Sequence, residues 1–402
     1  MSGVNRILAA RSLVVGLALL AGQVGAQALC DSTSKMLTPL DELVGTYNGY
    51  AGGLYPGGSN LPPSSHDSAG KAIALQFVPL DSFGVANSVS GKWVLLSIGM
   101  SNATQEFSRF VTNTNSDTSL HPYLKIVDGA QGGQTAARIK YDTAIFWSVI
   151  LSRLATRGLS AKQVQAVWIK EANGGPSGGF PLATTILKND LIEVIRIAKS
   201  KFPNLRQAFL SSRIYAGYAS TNLNPEPYAY EGGFAMRWVI ETQLNGNDSL
   251  NYIPDSGVVN SPWLAWGPYL WGDGVIPRQS DSLIWLCTDF QSDGTHPSSS
   301  GQQKVAGLLE KFFKSSIYTK PWFLKSSGSC CIGVRGNVDC DGSGLVDISD
   351  LTRLIDYLYL SFAPLCCIET ADVDATGSAD IADLTTLIDH LYLSFAPLIH
   401  CP

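Results

Sequence analysis

Short apolar runs alternating with helical patterns constrain the fold of this chain more than any other feature. Val94, Leu95, Leu96 and Ile98 form a run that breaks at Gly99. Residues 124–127, 165–169, 207–211 and 284–287 are further short runs of strand character. Between and after them, residues 103–111, 141–156, 183–201, 231–244 and 300–313 carry helical periodicity. Runs this short, bounded by Gly, predict buried strands rather than helices. The βαβα order predicts a parallel sheet with helices on both faces, a three-layer α/β/α sandwich. Residues 31–90, rich in Gly, Pro, Ser and Tyr, read as loops and short strands, with 74–78 as one candidate strand.

The first run delivers Ser101, and open α/β sheets bind ligands at the carboxyl ends of their strands. A helix starting there puts its N-terminus under the serine, where it favours developing negative charge. Asn102 adds a polar neighbour, and four of the strand ends carry small or polar residues suited to a site. Far downstream, Asp293 precedes His296 by three residues in Ser-Asp-Gly-Thr-His-Pro. A carboxylate in that position fixes the imidazole tautomer and stabilises the imidazolium formed when the ring takes a serine proton. Of the five histidines, His390 and His400 lie in the tail. His296 is therefore the natural base, His121 and His66 being weaker candidates, and His66 reads as a surface residue. The Gly-x-Ser-x-Gly elbow is not met, since Gly99-Met-Ser-Asn ends in Ala103. Glu171 has no evident carboxylate partner for glycosidase chemistry, and reads as a substrate contact or a surface residue. The aromatic segment 252–271 either stacks on sugar rings or packs a long loop.

Hydrophobic residues at 45% and charged residues at 15% mark a folded chain, and a net charge of −5 argues against a nucleic-acid partner. From Asn337 onward there are eleven Asp and Glu against the single Arg353, so the tail carries −10 and the rest +5. Two modules with different tasks are implied. Arg6, Arg11, the apolar run 13–21 and the small residues around Ala26 and Ala28 predict a cleaved signal peptide over residues 1–28, without a membrane span in the mature protein. Gln27-Ala-Leu-Cys30 lacks the small residue that precedes a lipidated cysteine. Eight cysteines fit an oxidising compartment, and the six in the tail allow fifteen pairings. The absence of CxxC spacing argues for disulfides over zinc.

Two segments of the tail repeat at a period of 33 residues. Oxygen ligands fall at positions 1, 3, 5, 9 and 12 with Gly at 6, the pattern of a Ca²⁺ loop. These are Asp339, Asp341, Ser343, Asp347 and Asp350 in one loop, and Asp372, Asp374, Thr376, Asp380 and Asp383 in the other. Leu345 and Ser378 supply backbone carbonyls at position 7. Near-identical helices follow, LTRLIDYLYLSFAPL and LTTLIDHLYLSFAPL.

Four blocks in order resemble the SGNH (GDSL-type) hydrolase superfamily over roughly residues 90–315. They are Ile98-Gly-Met-Ser-Asn102, Gly132-Gly-Gln-Thr135, Asn173 in KEANGG, and Asp293-Gly-Thr-His296. The resemblance implies a flavodoxin-like fold and a serine esterase without a catalytic cofactor. Ser101 would be nucleophile, His296 base and Asp293 its orienter. The oxyanion hole would comprise the Ser101 amide, the Gly133 amide (or that of Gly132) and the Asn173 side chain. The Gly-x-Ser-Asn form is similar to the acetylesterase branch acting on sugars, which implies acetyl esters on polysaccharide as substrate. Met100 stands where Asp or Gln is usual, and KEAN replaces Gly-x-Asn-Asp. The alternative is a non-catalytic carbohydrate-binding or adhesion protein on the same fold. Residues 337–402 resemble a type I dockerin, a small all-α calcium-binding module. That implies a cohesin-like partner on a scaffold or cell surface. The expected organisation is a hydrolase-like domain over 29–325, a linker over 326–336 and the dockerin-like module.

Overall fold

The computed structural model describes residues 27–325 and 330–401, apart from 332, 342 and 364. The expected signal peptide falls almost wholly outside the described residues, as does Ser326-Ser-Gly-Ser329 of the expected linker. The body runs through α1 (Ser64–Ala74), β1 (Trp93–Gly99), α2 (Ser101–Thr114), β2 (Leu124–Val127), α3 (Ala136–Ile139) and α4 (Ile145–Ala155). It continues through β3 (Val164–Lys170), α5 (Leu182–Lys201), β4 (Gln207–Leu210), α6 (Tyr228–Leu244), β5 (Trp263–Trp266), α7 (Ser299–Ser315) and α8 (Lys320–Phe323).

The five strands form one parallel sheet in the order β2-β1-β3-β4-β5. This is the flavodoxin-like order, and it reverses direction at β1, leaving a crevice between the carboxyl ends of β1 and β3. Every residue of β1, β3 and β4 is buried, as expected for central strands covered on both faces. Helix α2 packs with α7, and α5 with α6, flanking the sheet. Ala103, Phe107 and Phe110 recur at helical spacing on the inner side of α2, and Phe107 stacks on Trp168 of β3 at 5.5 Å.

Two elements depart from the sequence expectation. The fifth strand is Trp263–Trp266, not 284–287, whose end belongs to a short 3₁₀ turn at Cys287–Asp289. Four fully buried residues show no polar alternation, so periodicity could not separate this strand from a loop. Its aromatics pack: Trp263, Trp266, Tyr269 and Trp271 are all buried. The candidate strand at 74–78 is instead the end and aftermath of α1. That helix covers the edge of the sheet so closely that a Cβ on Gly70 would lie 2.2 Å from the Trp263 ring. His66, expected at the surface, is buried on α1, stacked on Trp263 at 4.9 Å and bonded to the Leu264 carbonyl at 2.8 Å. Burial lowers its pKa.

The tail contains α9 (Ile348–Ile355), α10 (Ile368–Ala371) and α11 (Ile381–Ile388), and α9 and α11 each run into a π-helical turn. Val338, Leu351, Leu354, Ala371 and Leu387 form its small core. Disulfides Cys330–Cys367, Cys331–Cys401 and Cys340–Cys366 staple it, and Cys30–Cys287 closes the body. Small cores commonly need such cross-links. Cys330 and Cys331 lie within the stretch 326–336. Four disulfides mark an oxidising compartment, extracellular or periplasmic. No helix among the described residues is long and apolar enough to cross a membrane.

Leu95 sits at the centre of β1, wholly out of solvent. Leu95→Ala is expected to destabilise the body by about 2–5 kcal/mol, read by urea unfolding, through lost burial and the cavity left behind.

Candidate active site

Ser101 is the first residue of α2, directly after β1. Gly99 makes that position possible, because a Cβ there would meet the Lys170 carbonyl oxygen of β3 at 2.5 Å and Ala103 Cβ at 2.3 Å. Met100, between Gly99 and Ser101, is buried with extended backbone. The serine therefore stands at the mouth of the crevice where strand order reverses.

His296 lies against it. Ser101 Oγ and His296 Nε2 are 2.8 Å apart, and His296 Nδ1 lies 2.5 Å from Asp293 Oδ2. The other carboxylate oxygen, Asp293 Oδ1, accepts the Thr295 and His296 amides at 2.9 and 3.0 Å. Burial raises the Asp293 pKa, but these donors and the imidazole outweigh it, and the carboxyl is held below its ordinary value. Gly294 turns the chain with φ +64°, and a Cβ there would strike the Tyr218 carbonyl at 1.8 Å. Asn102 Nδ2 donates to the Thr295 carbonyl at 2.9 Å, tying the helix of the serine to the turn of the histidine. Sequence spacing brought these three residues forward, and the fold brings them together. His121 lies away from them, before β2, 4.5 Å from the Trp93 ring.

The glycine loop follows β2. Asp128 fixes its start, accepting Ser97 Oγ at 2.6 Å, Ser108 Oγ at 2.9 Å and the Thr104 hydroxyl. Gln131 N donates to the Gly99 carbonyl at 2.9 Å, holding the loop over the end of β1. Gly132 faces the serine: a Cβ on it would lie 3.8 Å from Ser101 Cβ. Gly133 has φ +72°, and its carbonyl accepts Arg138 Nη1 at 2.8 Å.

Asn173 follows β3, with its side chain held at both ends. Its Oδ1 accepts the Ala137 amide at 2.8 Å, and its Nδ2 donates to Asp190 Oδ2 at 2.8 Å. Asp190 Oδ1 pairs with Lys140 Nζ at 2.7 Å. Sequence reasoning missed Asp190 and Lys140, since no motif marks a carboxylate inside an ordinary amphipathic helix.

Glu171 departs from both expectations for it. It is fully buried, neither at the surface nor in a position to touch substrate. Its Oε2 accepts the Ala172 amide at 3.1 Å, while Oε1 has no partner among the described residues. Burial drives its pKa well above the ordinary carboxyl value. The adjacent Lys170 forms a buried ion pair with Glu106 of α2. A cleft of about 600 Å³, lined by Tyr252, Trp263, Lys199 and Arg206 among others, lies at the amino ends of β4 and β5, away from Ser101.

No protein-family model and no curated protein matches the sequence. Among solved structures, the chain is similar to a GDSL-like lipase from Bacteroides thetaiotaomicron, with 12% identity over 57% of this chain and 92% of that one and a TM-score of 0.32. It is also similar to the periplasmic domain of a lipopolysaccharide acetyltransferase from Salmonella ser. Paratyphi A, with 14% identity over 55% and 84% and a TM-score of 0.31. An extracellular lipase from Streptomyces rimosus aligns at 12% identity over 55% and 99%, with a TM-score of 0.29.

Because its folded pKa is depressed, ionised Asp293 adds stability that is present above the unfolded value and lost as pH falls through the folded one. The stability advantage of wild type over Asp293→Asn is therefore expected to be full at neutral pH and to fade below about pH 4, measured by denaturant melts across pH.

Proposed function

We propose that this chain is a secreted SGNH-type serine esterase that removes small acyl groups, acetyls on carbohydrate, and is tethered through its tail. The observation that carries the reading is the hydrogen-bonded chain Ser101–His296–Asp293 at the reversal point of the sheet. In the proposed reaction Ser101 Oγ attacks the acyl carbon and passes its proton to His296 Nε2. Asp293 stabilises the resulting imidazolium. The ring then protonates the departing sugar oxygen, and a water activated by the same ring releases the acid. The negative oxygen of each tetrahedral intermediate would be received by the Ser101 amide at the start of α2, the Gly133 or Gly132 amide, and Asn173 Nδ2. No cofactor enters these steps. The sugar and the acetyl group rest on the Gly-x-Ser-Asn form and on the tail.

For the tail we propose a dockerin-like module with two structural Ca²⁺ ions. Its donor set is all oxygen, which suits a hard cation. In the second loop Asp372, Asp374 and Asp383 have carboxylate oxygens within 4.8 Å of one another. Asp372 Oδ2 accepts from Arg335 Nη1 at 2.7 Å, and its Oδ1 accepts the Gly377 amide at 3.1 Å. Asp347 and Asp380 cap α9 and α11, so loop and helix are joined through ligand residues. Exposed Leu360 and Phe362 in one repeat correspond to exposed Leu393 and Phe395 in the other, an apolar surface suited to a cohesin-like partner on a scaffold or cell surface.

Purified protein is expected to hydrolyse p-nitrophenyl acetate, and Ser101→Ala or His296→Ala to lower kcat/KM by more than about 1,000-fold. An unchanged rate in Ser101→Ala would overturn the triad, and an inert wild type would favour the binding-only alternative. Calorimetric titration of the full chain should find two Ca²⁺ sites, with one lost in Asp374→Asn/Asp383→Asn. Failure to bind Ca²⁺ would remove the metal assignment.

A further inference from the structure

We infer that Asp190 is the positioning residue that aims the Asn173 amide at the oxyanion. The inference rests on the esterase reading. A side-chain amide can turn over, exchanging its acceptor and donor ends, and only one orientation presents an N–H to the reacting oxygen. Here both ends are specified. The Ala137 amide donates to Oδ1 at 2.8 Å, and Asp190 Oδ2 accepts from Nδ2 at 2.8 Å. Turned over, the side chain would set its carbonyl oxygen against an acceptor-only carboxylate and its NH₂ against an amide donor. Both contacts would be repulsive.

The amide nitrogen has two hydrogens in the plane of the group. Asp190 takes one, and its position fixes where the other points. Asp190 is itself nearly buried and anchored, with its second oxygen on Lys140 Nζ at 2.7 Å. That hydrogen bond raises the Lys140 pKa. The lysine also balances the carboxylate, which would otherwise oppose negative charge developing on the substrate. Asn173 is followed by Gly174 and Gly175, so no polar side chain next to it in sequence does this work. Helix α5 supplies the carboxylate from seventeen residues downstream.

The test is a double-mutant cycle on the full chain, with kcat and KM for p-nitrophenyl acetate and Ser101→Ala as control. Asn173→Ala is expected to lower kcat by about 100- to 1,000-fold. Asp190→Ala should lower kcat by roughly 10- to 100-fold with KM nearly unchanged. Added to Asn173→Ala, it should cost almost nothing further, because the group it aims is gone. A merely structural role would lower the rate equally in both backgrounds, and that result would overturn the inference. If Asp190→Ala does not fold, Asp190→Leu, which keeps the volume and removes the acceptor, takes its place in the cycle. It must then lower kcat only when Asn173 is present. Should wild type and Ser101→Ala be equally active, the esterase reading itself fails and takes this inference with it. A rate abolished by Ser101→Ala but equally sensitive to Asp190 in both backgrounds would overturn the inference alone.

Discussion

A charge pair without water contact ties the two halves of the site together. Lys170 ends β3, Glu106 lies on α2 five residues beyond Ser101, and both side chains are fully buried. Burial pushes the lysine down to about 8 and the carboxyl up, while their mutual attraction opposes both shifts. Such a pair is weak evidence for net stability, but removing one member would leave a buried charge unpaired, at a cost of about 3–5 kcal/mol. The consequence is geometric. The helix bearing the serine cannot slide along the strand that delivers Asn173 without breaking the pair. Arg213, buried after β4, sits close enough to Glu106, Glu171 and Glu226 for their charges to oppose the lowering of its pKa by burial. Lys170, Glu106, Glu171 and Arg213 thus form a floor of buried ionisable groups near the strand ends.

That floor explains which parts of the site could be read from sequence. Ser101, Asp293 and His296 announce themselves through local chemistry: a glycine-terminated apolar run and a carboxylate three residues before a histidine. Asn173 comes forward only through the resemblance of KEANGG to the asparagine block. Asp190, Lys140 and Asp128 are not, because each acts across a tertiary contact and sits in a segment whose own pattern is ordinary. Glu171 was misjudged for a related reason. Composition treats a lone carboxylate as a surface residue, and only the fold reveals that it is sealed beneath the site.

The sheet follows the same division. Its central strands, β1 and β3, are short apolar runs with clear ends, so their existence could be argued from one-dimensional pattern. The edge strand β5 could not, because its tryptophans satisfy a strand and an aromatic loop equally well. Its identity is set by α1, whose Gly70 and His66 close over Trp263. Helix α1 was itself hidden in a segment whose glycines and prolines suggested loops. Edge and cover specify one another, and neither is visible alone.

The tail obeys a different physics from the body. Its buried apolar cluster is small, and its chain carries a net −10 that favours expansion. Three disulfides counter the entropy of unfolding, but they leave the self-repulsion of clustered carboxylates untouched. In each loop the last acid is buried, Asp350 and Asp383 accepting backbone amides, while the exposed Asp347 and Asp380 cap helices. Amide donors offset part of the charge and helix dipoles a further part. What remains is an excess of negative oxygen at matched positions of both repeats, which a divalent cation would neutralise at its source.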